Sequence, residues 1–305
     1  MKRILIIISL YLLVYSSIFG GEEMKIHECS GAGRWFEASE KLLAKEVDGF
    51  FGQVENKYKD KKITAIISPH AGFTYSGKAA AAGFISVKDK SYKRVILLGV
   101  NHMVYLRKAA LLDVDAFETP LGNVELDQPV VEELLKNEKY FISDPKAHVS
   151  EHSIENQLPF LQRGLKPGFK IVPILICDMS DDSFKAVAKI LKQYVDDQTL
   201  IVVSSDFTHY GQYFQYVPFK TDIRENLKKL DMGAVDLIIK KDFDGFSKYI
   251  DRTGATICGR NGISVLLNLL PEDAVGDLAM YYTSSEMTGD FSSSVSYASI
   301  VFYKK

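Results

Sequence analysis

Residues 63–77 read Ile63-Thr-Ala-Ile-Ile-Ser-Pro-His-Ala-Gly-Phe-Thr-Tyr-Ser-Gly77, an apolar strand that runs into a Pro-His turn and then into the small-residue start of a helix. Ile63, Ala65, Ile66 and Ile67 form a near-continuous run of β-branched and small apolar residues, as in a strand buried on both faces of a helix-covered sheet. Pro69 has no N–H to give to the ladder, so the strand stops and His70 opens the loop. In open α/β sheets ligands collect outside the carboxyl ends of the strands, so His70 is placed to bind or react. Taken alone it serves as well as a turn-stabilising imidazole. Gly72 and Gly77 allow a tight turn beside it, and Lys78 to Phe84 resumes as a helix.

The pattern recurs. Arg94 to Val100 is a second buried strand, and His102 stands just past its end. Consecutive strands are neighbours about two-thirds of the time, so the two histidines are expected to share a crevice. Leu200 to Ser204 is a third buried strand, followed by Ser205, Asp206 and His209. A carboxylate three residues from an imidazole orients it, fixes its tautomer and raises its basicity, as general acid/base work requires. The serine in this loop does not make a serine hydrolase, because no G-x-S-x-G elbow is present. Cys258 lies in D-R-T-G-A-T-I-C-G-R, ahead of a helix expected over Ile263 to Leu270. A thiol near a helix N-terminus is expected to have a lowered pKa and to act as nucleophile or metal ligand.

Between the second and third strands, residues 147–161 combine polar side chains with an apolar stripe at Ile154, Leu158 and Leu161. Ser153 is read as the cap of a helix starting at Ile154. His148 and His152 are four apart but precede that cap, so a metal pair on one helix face is discounted. The segment is either a polar loop that bonds a helix start, or one whose Glu151 or His152 stands behind the site. Trp35 is expected to pack the helix that follows Ser39. Lys170 to Ile176 reads as a strand, Asp182 to Tyr194, Thr221 to Lys241 and Phe243 to Ile250 as helices. Ala279 to Ser285 and a half-exposed Val295 to Tyr303 read as closing strands.

A chain of 305 residues that is 47% apolar can bury one large α/β core. A net charge of −2 and the absence of basic runs interleaved with aromatics exclude nucleic acid as a partner. Lys2 and Arg3, the uncharged stretch Ile4 to Phe19 and the glycines that follow have the layout of a secretory signal peptide or N-terminal membrane anchor over residues 1–20. Residues 21–305 then form a single domain outside the cytoplasm, periplasmic or extracellular, that meets a membrane only through that leader. The three cysteines Cys29, Cys177 and Cys258 are an odd count, so at least one is unpaired within the chain. Cys177, in an apolar strand, reads as core.

His70, His102, Asp206, His209 and Cys258 thus converge from four loops. Imidazoles with one anionic ligand suit iron, copper or zinc, and nitrogen-plus-sulfur ligation leans away from magnesium and calcium. The segments S-P-H-A-G-F-T-Y-S-G, L-G-V-N-H, E-H-S-I-E-N-Q-L-P-F-L-Q, S-S-D-F-T-H-Y-G and D-R-T-G-A-T-I-C-G-R, in that order, resemble the MEMO family, including its prokaryotic members called AmmeMemoRadiSam system protein B. The resemblance runs from about Gly31 to Tyr303. It implies a three-layer α/β/α sandwich with a mostly parallel or mixed central sheet, similar to the class III extradiol dioxygenases. It also implies metal ligation by His70, His102 and Cys258, the last standing where those enzymes have a carboxylate. His209 would be the catalytic base, with Asp206 in the same pocket. The family is linked to iron or copper, its reaction is not settled, and its animal members look like signalling adaptors that bind phosphotyrosine peptides. Val100 and Asn261-Gly262 stand where proline is common in the family, and the leader departs from its usual cytosolic setting.

The expectation is therefore a mononuclear iron or copper site with a redox role, zinc ranking below these metals. The alternative is a non-catalytic module that holds a peptide or small polar ligand in the same cleft. Zinc-dependent hydrolysis is a third, weaker reading.

Overall fold

The computed structural model describes residues 24–305. The signal or anchor read in residues 1–20 lies outside the described residues. No helix among the described residues is long and apolar enough to cross a membrane.

The strands are β1 (Ile26–His27), β2 (Lys62–Ser68), β3 (Arg94–Val100), β4 (Ala109–Leu111), β5 (Ala116–Phe117), β6 (Val124–Glu125), β7 (Phe141–Ser143), β8 (Lys170–Ile176), β9 (Thr199–Ser204), β10 (His209–Gly211), β11 (Ala274–Thr283) and β12 (Ser293–Lys304). Nine of them form the main sheet in the order β10-β12-β2-β9-β3-β8-β4-β7, with β11 also paired to β12, while β1, β5 and β6 make a small separate sheet. β2, β9, β3 and β8 are mutually parallel; β12 runs antiparallel to β2. The sheet is mixed, with a parallel centre.

The expected adjacency of the two histidine-bearing strands is corrected here. β2 and β3 are not neighbours, because β9 is inserted between them and pairs with both. The outcome serves the site better, since the loop with Asp206 and His209 now lies between those with His70 and His102. A second correction concerns the last strand, read as half exposed. β12 is buried from Ser296 to Phe302, because the helices Phe73–Phe84 and Ile223–Ile239 pack against it.

The helices used below are α1 (Glu40–Phe51), α2 (Phe73–Phe84), α3 (Gln128–Leu135), α4 (Pro145–His148), α5 (His152–Glu155), α6 (Leu158–Gly164), α7 (Asp181–Leu191), α8 (Ile223–Ile239), α9 (Phe243–Thr253) and α10 (Arg260–Leu269). Adjacent residues of β3 show that the helices form two layers. A Cβ on Gly99 would meet Ile154 and Ser153 of α5, whereas Leu98 faces Gly262 of α10, and successive residues of a strand point to opposite faces. α1, α2 and α6 join α5 on one side; α7, α8 and α9 join α10 on the other. α2 lies so close to the sheet that a Cβ at Gly83 would sit 2.3 Å from Ser299 Oγ and 2.9 Å from Ile66 Cγ2. α2 begins at Phe73, earlier than the alanine run suggests, and Ser39 makes no side-chain bond at the start of α1.

Candidate metal centre

His70 follows β2 directly and is 2% exposed. Its Nδ1 lies 2.9 Å from Ser204 Oγ, at the end of β9. That hydroxyl gives its one proton to Ser153 O at 2.6 Å and receives the Nε2–H of Gln157 at 2.9 Å. It can therefore only accept from the imidazole, which fixes His70 as the Nδ1–H tautomer and leaves a lone pair on Nε2. Nε2 points at Cys258 Sγ, 3.3 Å away.

The same device holds the other two histidines. His102 Nδ1 is 3.1 Å from both oxygens of Glu151, and His209 Nδ1 is 3.0 Å from the carbonyl oxygen of Thr256. Each acceptor fixes the proton on Nδ1 and frees Nε2. Donors held in this way by a carboxylate, hydroxyl or carbonyl behind them are characteristic of metal-ligating imidazoles. Ligand atoms of His70, His102 and Cys258 lie within 4.8 Å of one another, as do those of Asp206, His209 and Cys258, and of His102, Glu151 and His152. The donor chemistry fits one ion: a nitrogen and a sulfur sharing a metal at about 2.1 and 2.3 Å sit close to the 3.3 Å seen between His70 and Cys258.

Two sequence expectations change at this point. Asp206 does not make the hydrogen bond that fixes His209. Its Oδ1 accepts the backbone N–H groups of His70 and Ala71 at 2.8 and 3.3 Å, so it shapes the His70 loop, and Thr256 does the orienting. Nor is Cys258 an acidified thiol. Burial, together with the charge of Asp206, pushes its pKa well up. The sulfur accepts the Asp206 N–H at 3.2 Å, yet this does not offset removal from water. Burial likewise raises the pKa of Asp206 itself. Burial and the nearby His102 lower His70 to about 3, so that imidazole is neutral and ready to ligate. Gly259 lets Cys258 approach. A Cβ there would stand 2.3 Å from Ser205 Cβ and 2.6 Å from Ser204 O.

Behind the cleft, residues 151–157 hold nearly every part of it. Glu151, 2% exposed, accepts from the backbone and ring of His102 and caps α5 by accepting from Ser153 N at 2.8 Å. Burial raises its pKa, but the hydrogen bonds from His102 and Ser153 outweigh that and bring it to about 2. Ser153 bonds both backbone groups of Val100, so it is not the helix cap that its sequence position suggested. Glu155 accepts from Ser30 and Gly31. Asn156 donates to His70 O at 2.6 Å, and Gln157 to Pro69 O at 3.0 Å. One seven-residue stretch thus ties together the β2, β3 and β9 loops and the N-terminal segment.

Trp35 also reaches the site. Its ring stacks on His152 at 4.0 Å and 10°, and His152 stacks on His102 at 5.2 Å and 17°. Burial and the nearby His70 lower His152 to about 4. His148 sits apart, buried beside Phe117 and His27. Cys177 is 2% exposed, as a core residue should be, and all three cysteines are free.

Residues 27–301 match the family model described as Memo-like protein. The chain is 36% identical over 284 residues to Protein MEMO1 of Xenopus laevis and 35% identical to that of Homo sapiens, in each case over 89% of this chain and 95% of the relative. It is 31% identical to the memo-1 homolog of Caenorhabditis elegans, over 90% and 81%. Among solved structures, the uncharacterized protein JW3007 of Escherichia coli K12 superposes with a TM-score of 0.51 at 12% identity, over 78% of this chain and 99% of that one. This last likeness concerns the fold alone.

Proposed function

We propose that this chain, which belongs to the Memo-like protein family, holds a single iron or copper ion through His70, His102 and Cys258 and uses it in a redox reaction. The observation that carries the reading is the convergence of three ligand atoms within 4.8 Å, with both ligand imidazoles held as Nδ1–H by Ser204 and Glu151. A bound ion would supply Lewis acidity and one-electron chemistry that no side chain here has. A thiolate in place of a carboxylate favours a softer metal and shifts its potential, so cleavage of catechols is not part of the proposal.

The chain's own groups have separable tasks. His209 Nε2, free because Thr256 holds Nδ1, takes up or delivers a proton at the ligand. Asp206 keeps the His70 loop in place through two backbone bonds. Cys258 gives up its thiol proton when it ligates, which offsets its burial. The N-terminal composition supports export, and the working site would then lie outside the cytoplasm.

The test is elemental analysis of protein purified anaerobically, without chelators or a metal-affinity column, beside a His70→Ala, His102→Ala double variant. Near-stoichiometric iron or copper that is lost in the variant supports the reading, and zinc would turn it toward hydrolysis. Absence of metal, with added iron and copper failing to bind, would leave the second reading: a non-catalytic module for a peptide or polar ligand. The exposed ring of Tyr105 on the same cleft wall favours that alternative.

A further inference from the structure

The described residues include seven arginines, and six have a visible partner. Arg94, Arg163 and Arg224 are ion-paired with Asp127, Asp48 and Glu286. Arg34, Arg107 and Arg252 lie over the rings of Trp35, Tyr105 and Tyr249. Among these seven, Arg260 alone has neither an ion pair, a side-chain hydrogen bond nor an aromatic ring. It is also the first residue of α10, where the helix dipole disfavours a cation. Neither a direct ion pair nor the helix dipole therefore accounts for a guanidinium at this point.

Its place in the fold supplies one. Arg260 lines the same cavity of about 350 Å³ as His102 and Cys258. The amides on that wall also bond the protein itself: Asn101 Nδ2 donates to Val104 O, and Asn261 Nδ2 to Cys177 O. Asp178 lines the cavity as well, and together with Asp181, Asp251 and Arg260 it lines a smaller one of about 170 Å³. The ion pairs made by arginine among the described residues are those of Arg94, Arg163 and Arg224, and none joins these carboxylates to Arg260. The planar fork of arginine matches a carboxylate or a phosphate with two parallel hydrogen bonds.

We infer that Arg260 is the anion-binding group of this cleft. It holds the carboxylate or phosphate group of a small ligand whose other end reaches His102 and Cys258. The inference rests on reading the cleft as a ligand site, and it narrows the ligand to an anionic small molecule.

The experiment is calorimetric titration of the full chain with inorganic phosphate and, separately, with succinate, in the metal-free state and after loading with iron or copper. Wild type is compared with Arg260→Gln, Arg260→Lys and the surface control Arg163→Gln. Anion binding should fall at least tenfold in Arg260→Gln, recover partly in Arg260→Lys and stay unchanged in the control, with metal content equal in all. Preference for phosphate assigns a phosphate ester, and preference for succinate a carboxylate. Undiminished binding by Arg260→Gln, or no binding of either anion to wild type in both states, overturns the inference. Arg260-dependent anion binding in a chain that takes up no metal would sink the metal reading and leave this one standing. Arg260 is exposed, so the variant keeps the fold, which a thermal melt verifies.

Discussion

Glu151 and His102 are joined twice: the carboxylate accepts the backbone N–H of His102 at 2.7 Å and faces its ring Nδ1 at 3.1 Å. One side chain therefore sets both the position of the β3 loop and the tautomer of its imidazole. Glu151→Gln keeps the shape but loses the charge, and its amide N–H₂ cannot accept. Metal affinity should drop about 10- to 100-fold, the usual cost of removing the group behind a ligating histidine. Competition with a chelator of known affinity measures it, and an unaltered dissociation constant would remove Glu151 from this role.

Cys258→Ser should retain the fold, since the smaller hydroxyl can still accept from Asp206 N, and should lose most of the bound metal. Elemental analysis and a thermal melt on the same sample separate the two effects. Full metal content in the variant takes Cys258 out of the ligand set.

Ser204→Ala deprives three buried groups at once: His70 Nδ1–H, Gln157 Nε2–H and Ser153 O. An unsatisfied buried polar group costs about 1–3 kcal/mol. The variant should lose at least about 2 kcal/mol in urea unfolding, with His70 released from its tautomer. A change below about 0.5 kcal/mol would show that the hydroxyl is not the keystone its bonds suggest.

Gly259→Ala introduces a Cβ against the backbone oxygen of Ser204 as well as Ser205. Backbone cannot swing away as a flexible side chain does, so α10 and Cys258 must shift. The expected result is destabilisation of about 1–3 kcal/mol together with weaker metal binding. A variant with native stability and native metal content would contradict the close approach.

Acid should destabilise the chain by forcing a proton onto a buried imidazole. Burial and the nearby His27 lower His148 from its ordinary 6.5 to about 4, so the folded state keeps it neutral while the unfolded chain takes up the proton. Between those values the unfolded state holds more protons, and stability falls as the pH is lowered from about 6.5 toward about 4. His148 Nε2 has no hydrogen-bond partner, so His148→Phe removes the titration without breaking a bond at that atom. Urea midpoints measured across this range should decline less steeply in the variant; equal slopes would assign the acid sensitivity elsewhere.

The sequence made the strand ends legible because their signal is local. A buried apolar run, a stop such as Pro69 and a histidine just beyond it can be read without knowing the partners. Two kinds of information were out of reach. Pairing of β9 between β2 and β3 links residues more than a hundred positions apart, and nothing in either strand names its neighbour. The role of residues 151–157 was legible only as one of two readings, with Glu151 or His152 behind the site, because α5 has only four residues. The polar side chains of that stretch look like any capping loop until their distant partners are known. Cys258 was misjudged for a related reason: the helix start was visible, whereas burial against Asp206 was not.

The insertion of β9 bears on how the chain is made. β2 and β3 are synthesised about a hundred residues ahead of the strand that fills the gap between them. Until residue 199 has left the ribosome, each has an open edge of unpaired backbone groups, the arrangement most prone to joining another chain. Nor can a fragment that stops short of Cys258 bring the three candidate donors together. Those edges close only when β9 (Thr199–Ser204) is made, and the cleft, which waits for Cys258, is among the last parts of the molecule to exist.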